Sequence, residues 1–159
     1  MRESDLYEAS YGSNAGKFND GKVKYIPEKK MFTLVSEVSD GLYLVAMLYT
    51  DGRILVSTTK SKDVFSIIVG SIEQLLNPIQ VADAYEYRSQ MEKMVSTLIE
   101  KFYTRLDEIK FVSVDNTDLK RLKRFLQMPE MAHFLEVKRF DYIEEMKTQG
   151  VYLITYQKQ

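Results

Sequence analysis

The stretch from Asn77 to Gln127 constrains the fold more than any other. It reads as a long amphipathic helix, a short apolar strand and a second helix with one basic face. Asn77-Pro78 is a helix start, because Asn caps free N–H groups and Pro at the first helical position gives up no donor. Val81, Ala84, Tyr87, Met91, Met94, Val95, Leu98, Ile99 and Phe102 then recur at spacings of three and four, one apolar stripe facing a core. Ile109 to Val114 is apolar on both faces, the pattern of a strand buried inside a sheet. Asp115-Asn116-Thr117-Asp118 supplies several cap candidates, with Asn116 read as a cap. In the helix that follows, Leu119, Leu122, Phe125 and Leu126 form the inner face and Pro129 ends it. Helix, buried strand and capped helix make half of an α/β layer, so further strands must flank Phe111 and Val114.

Those strands are legible upstream. Met31–Val38, Leu42–Tyr49 and Arg53–Thr59 are β-rich runs separated by Asp40-Gly41 and Asp51-Gly52. Asp-Gly between such runs is a strong hairpin signal. The middle run is apolar on both faces, which predicts helices on both sides of the sheet. Lys22–Ile26 reads as a short strand ended by Pro27. Thr59 to Asp63 reads as the start of a helix whose stripe is Val64, Ile67, Ile68, Ser71, Ile72 and Leu75. Downstream, Pro129–Lys138 reads as an extra helix with Met131, Phe134 and Leu135 inward. Phe140–Met146 and Val151–Tyr156 pair as a hairpin across Lys147-Thr148-Gln149-Gly150. The prediction is one α/β (α+β) domain over 1–159, with a loop-rich segment at 1–30, a core at 31–157 and a mixed, mostly antiparallel sheet.

The chain has 159 residues, enough for a single core. It has no cysteine, which excludes thiolate metal sites and a Cys nucleophile, and its one histidine, His133, weighs against a His-rich metal site and a Ser-His-Asp triad. Net charge is −1, which weighs against a nucleic-acid-coating protein but leaves room for a local basic patch. No apolar run reaches membrane-span length and no signal-peptide pattern opens the chain, so no membrane partner is expected. Gly12, Gly16 and Gly21 punctuate an N-terminal loop that lacks the spacing and the Ser/Thr of a P-loop.

The order of meander, helices, strand, helix and terminal hairpin resembles the fold of the GNAT N-acetyltransferases, over roughly residues 31–157. Tyr87-Arg88-Ser89-Gln90-Met91 lies where family members carry an Arg/Gln-x-x-Gly-x-Gly/Ala loop. Val114-Asp115-Asn116-Thr117 lies where they carry an Asn after the fifth strand. Tyr142-Ile143-Glu144-Glu145-Met146 with Gly150-Val151-Tyr152 lies at the terminal hairpin. Glu86-Tyr87-Arg88-x-x-Met91, Asn116-Thr117 and Arg124-Phe125-Leu126 are further similar to small GNAT-like proteins of tailed bacteriophages. That resemblance implies a phage protein located in the host cytoplasm or the virion.

The departures from the family pattern bear on chemistry. In active members two small residues let backbone N–H groups approach the coenzyme A pyrophosphate at a helix N-terminus. Met91 and Lys93 stand at those places, and Lys123 stands where the family has its general-acid Tyr. Glu37 is the one acid well placed on a central strand. The expectation is therefore a degenerate GNAT-like protein with no cofactor, binding a phage or host protein. The partner surface is assigned to the basic residues Lys120, Arg121, Lys123, Arg124, Lys138 and Arg139. An active acetyltransferase is the alternative: it would use acetyl-CoA, with Lys60, Ser61, Lys62 and Arg88 as phosphate contacts. A nucleic-acid-binding protein using the basic helix 118–127 is the third reading. Each residue also has a plainer role: Arg88 pairing with Glu92 at i+4, the basic face simply solvated, and Met91, Met94 and Met146 filling the core.

Overall fold

The computed structural model describes residues 21–39, 41–60 and 85–159. The helix read at 63–75, the Asn77-Pro78 start, the glycine loop before Gly21, and Ser61 and Lys62 lie outside them.

The Asp-Gly turns do what their chemistry predicts. β1 (Lys24–Ile26), β2 (Met31–Ser39), β3 (Leu42–Tyr49) and β4 (Arg53–Lys60) form an antiparallel meander. At the β3–β4 turn Gly52 has φ +95 and donates its N–H to the Tyr49 carbonyl at 2.9 Å. Asp51 holds the next residue, accepting from the Arg53 backbone N–H and from its guanidinium. The strand β4 runs through Lys60, which pairs with Leu42, so Thr59 and Lys60 extend the sheet and do not open a helix.

The later part of the apolar stripe becomes α1 (Arg88–Lys101), with Met91, Met94, Val95, Leu98 and Ile99 buried, while Tyr85–Tyr87 before it form a 3₁₀ turn and not a continuation of one long helix. β5 (Glu108–Ser113) follows, then α2 (Asn116–Leu126), α3 (Pro129–Val137), β6 (Phe140–Thr148) and β7 (Val151–Lys158). Asp115, not Asn116, caps α2: its carboxylate accepts the Asp118 N–H at 2.8 Å. The buried Asp118 carboxylate reaches back to accept the Val114 N–H at 3.2 Å. Two donors are thus satisfied reciprocally, as in a capping box. Asn116 is an exposed first helical residue. The terminal hairpin turns on two residues only, Gln149 and Gly150, both at positive φ. That is the twist a two-residue loop requires, and it frees Lys147 and Thr148 to extend β6.

The seven strands run in the order β1-β2-β3-β4-β5-β7-β6. All neighbours are antiparallel except β4 and β5. The fold is thus mixed α+β around a mostly antiparallel sheet. One face of the sheet, through Phe32, Leu48, Ile54, Phe111 and Ile154, forms a single core with the inner faces of α1, α2 and α3. The other face of β2–β4 is buried as well, through Met31, Val35, Val45, Met47 and Leu55.

Among the described residues, the Tyr49 hydroxyl is buried with no hydrogen-bond partner. Burial pushes its pKa up to about 12, against the pull of the Arg53 guanidinium over its ring. The folded value lies above the unfolded one, so the unfolded chain loses this proton first. Stability should therefore fall as pH rises from about 10, by up to about 1.4 kcal/mol per pH unit. Tyr49→Phe removes the orphaned hydroxyl and should stabilise the protein by about 1 kcal/mol at neutral pH. It should also remove that share of the alkaline loss. Urea unfolding of both proteins at neutral and alkaline pH measures both effects.

Candidate functional site

Two places in the fold combine a concavity with chemistry. The first lies where β2 ends beside the start of α1. Near the carboxyl end of β2, a concavity of about 450 Å³ lies against the start of α1. Ser36, Glu37, Arg88, Ser89, Gln90 and Lys93 are among its walls. Gln90 donates to the Ser36 hydroxyl at 3.1 Å and ties helix to strand.

Among the described residues no side chain caps α1, and its first turn holds no acid. A 3₁₀ turn over Tyr85–Tyr87 runs directly into it and engages N–H groups at its start. Met91 is fully buried in the core and Lys93 sits a half-turn further along the helix. Their N–H groups are committed to the helix, as the sequence reading expected. Arg88 does not pair with Glu92. Its guanidinium lies 5.4 Å from the Tyr85 ring centroid, and Glu92 instead accepts from Ser96. Of the four proposed phosphate contacts, Arg88 lines this concavity, Lys60 ends β4, and Ser61 and Lys62 lie outside the described residues.

The second place is a groove of about 400 Å³ between α2 and the β6–β7 hairpin. β7 lies between β5 and β6, which leaves β6 as the edge strand on this side of the sheet. Leu126 and Ile154 are the groove's buried floor; Tyr142, Tyr156, Lys123, Glu145 and Gln127 are its walls and rim. The Tyr142 and Tyr156 rings meet at 78° with centroids 5.9 Å apart, and Phe111 braces Tyr156 from within the core. Burial raises the Tyr156 pKa, with a smaller push from Tyr142, so the phenol stays neutral through the physiological range. Lys123 forms an ion pair with Glu145 across the groove.

The basic residues expected to form one patch divide into two groups. Lys120, Lys123 and Arg124 are exposed on α2, and Arg121 is half-buried beside them. Lys138 is structural: its ammonium binds Glu100 of α1 at 3.1 Å and lies over the Tyr103 and Phe134 rings. Arg139 is exposed and turns the chain from α3 into β6 with φ 64. Met146 is not a core filler. It is exposed on β6, as are Tyr142 and Ile143, and Val137 at the end of α3 is exposed too. Tyr142, Glu145 and Tyr156 were missed as site residues. Only a strand alternation marked them in the sequence, and that pattern does not identify which strand is an edge.

No group of His, Asp or Glu able to hold a metal ion, and no helix long and apolar enough to cross a membrane, occurs among the described residues. Compared with models of known families, with curated proteins and with solved structures, the chain matches none.

Proposed function

We propose that this chain is a GNAT-like protein of bacteriophage type that works by binding another protein and not by acyl transfer. It would act as a virion component or on a host protein in the host cytoplasm. The observation that carries the binding reading is that edge strand β6 leaves large apolar side chains exposed. Tyr142, Ile143 and Met146 are all more than two-fifths exposed, and Tyr142 borders a groove. Aromatic residues and Met are enriched at protein interfaces. The loss of chemistry is argued from Met91 and Lys93. They stand where the resembled family needs small residues in a loop, and here they are helical.

The alternative, an acetyltransferase with a rearranged cofactor site, draws on a different observation. The start of α1 has no side-chain cap among the described residues, carries Arg88 and opens on a concavity. Such a terminus favours anions. Incubation with acetyl-CoA and a mixture of amine acceptors separates the two readings. Binding without chemistry expects thiol release at the background rate, and sustained turnover would sink it.

A further inference from the structure

We propose that the groove between α2 and β6–β7 receives a cationic side chain, a lysine or arginine carried on an exposed segment of the partner protein. This rests on the protein-binding reading above and gives it a ligand chemistry. Tyr142 and Tyr156 form two walls of a corner, their planes 78° apart. Aromatic faces carry negative potential and attract ammonium and guanidinium groups, most strongly where water is displaced. The floor below, Leu126 and Ile154, is apolar and suits the methylene stem of a long cationic side chain. Glu145 places a carboxylate on the rim.

The protein already shows what that carboxylate takes. Lys123, from the facing helix, reaches across and binds it. Among the described residues it is the one cation lining the groove, and Glu145 matches its charge there. Asp141 and Glu144 lie on the same strand, exposed on its other face, so Glu145 is the carboxylate that the groove itself offers. An incoming cation must therefore displace Lys123 from Glu145. The pair acts as a latch of modest strength, since its side chains are roughly half and a third exposed.

That competition gives the test an unusual sign. The full chain is titrated in ¹H–¹⁵N NMR, at constant ionic strength, with acetyl-Gly-Arg-Gly-amide and acetyl-Gly-Lys-Gly-amide; acetyl-Gly-Gln-Gly-amide is the uncharged control. Saturable shifts are expected at Tyr142, Glu145 and Tyr156 with the cationic peptides and not with the control. Lys123→Ala, which removes the internal competitor, should tighten binding about threefold. Tyr142→Ala and the isosteric Glu145→Gln should each weaken it by about threefold or more. Both positions are exposed on an edge strand, and retained spectral dispersion verifies the fold. The proposal is overturned if the control peptide moves the same resonances equally, if no saturable shift occurs, or if Lys123→Ala weakens binding or leaves it unchanged. These outcomes are separate from the failure of the protein-binding reading itself, which turnover of acetyl-CoA would bring about whatever the peptides do.

Discussion

Truncation of Phe111 to alanine is expected to destabilise the protein by about 3–5 kcal/mol, the range for emptying a large aromatic site in a packed core. Phe111 is 2% exposed at the middle of β5. It pairs with Ile54 on one side and Ile154 on the other, so its ring sits where the meander half of the sheet meets the hairpin half. Only two residue pairs join β4 to β5, which leaves few neighbours able to collapse into the space. Phe111 also braces Tyr156 in an edge-to-face contact with centroids 5.8 Å apart. The variant should therefore disturb the groove as well as the core. Urea unfolding measures the first effect, and loss of Tyr156 chemical-shift dispersion the second.

Gly52→Ala is expected to cost about 2–4 kcal/mol, through a different mechanism. Gly52 has φ +95, a conformation that side-chain-bearing residues adopt only under strain. A Cβ there would stand 2.5 Å from the Glu108 carbonyl oxygen, a backbone atom that cannot swing aside. The Gly52 carbonyl accepts the Lys110 N–H at 2.8 Å, so the same residue fastens the β3–β4 turn to β5. Relieving the clash would pull apart the short β4–β5 junction. An alanine variant within 0.5 kcal/mol of the parent in urea unfolding, a size typical of neutral surface changes, would show that the junction gives way easily.

The strands were readable because their signals are local. Leu42–Tyr49 keeps the bounds that its continuous apolar run and flanking Asp-Gly pairs imply. The inner faces of α1 and α2 also follow from spacing alone, since each residue needs only its neighbours at three and four to be placed. Capping was less legible. Four polar residues stood before α2, and choosing Asp115 over Asn116 required the direction of one carboxylate. The Gln149-Gly150 turn lacked the Asn or Asp that marks the tightest hairpins, so the loop read two residues too long. The groove was not legible at all. Lys123, Glu145, Tyr142 and Tyr156 come from three elements, and they converge because β7 enters between β5 and β6. Met146 was misread for the same reason: apolar residues face the core on inner strands, but β6 is an edge.

β6 also carries the marks of a managed edge. Its register shifts between Tyr142 and Glu144, and Asp141, Glu144 and Glu145 supply charge along it. Bulges and charges discourage a second sheet from pairing on such a strand. Recognition on this side is thereby left to side chains, which is the mode a cation-receiving groove requires.

Calorimetric titration of the full chain with acetyl-CoA and with coenzyme A, to millimolar ligand, tests the central claim most directly. The donors a pyrophosphate would need are helical at Met91 and Lys93, and a 3₁₀ turn over Tyr85–Tyr87 leads directly into that helix. The account predicts no saturable heat for either ligand. Saturable binding of both, lost in an Arg88→Ala variant, would contradict it and return the start of α1 to a working cofactor site.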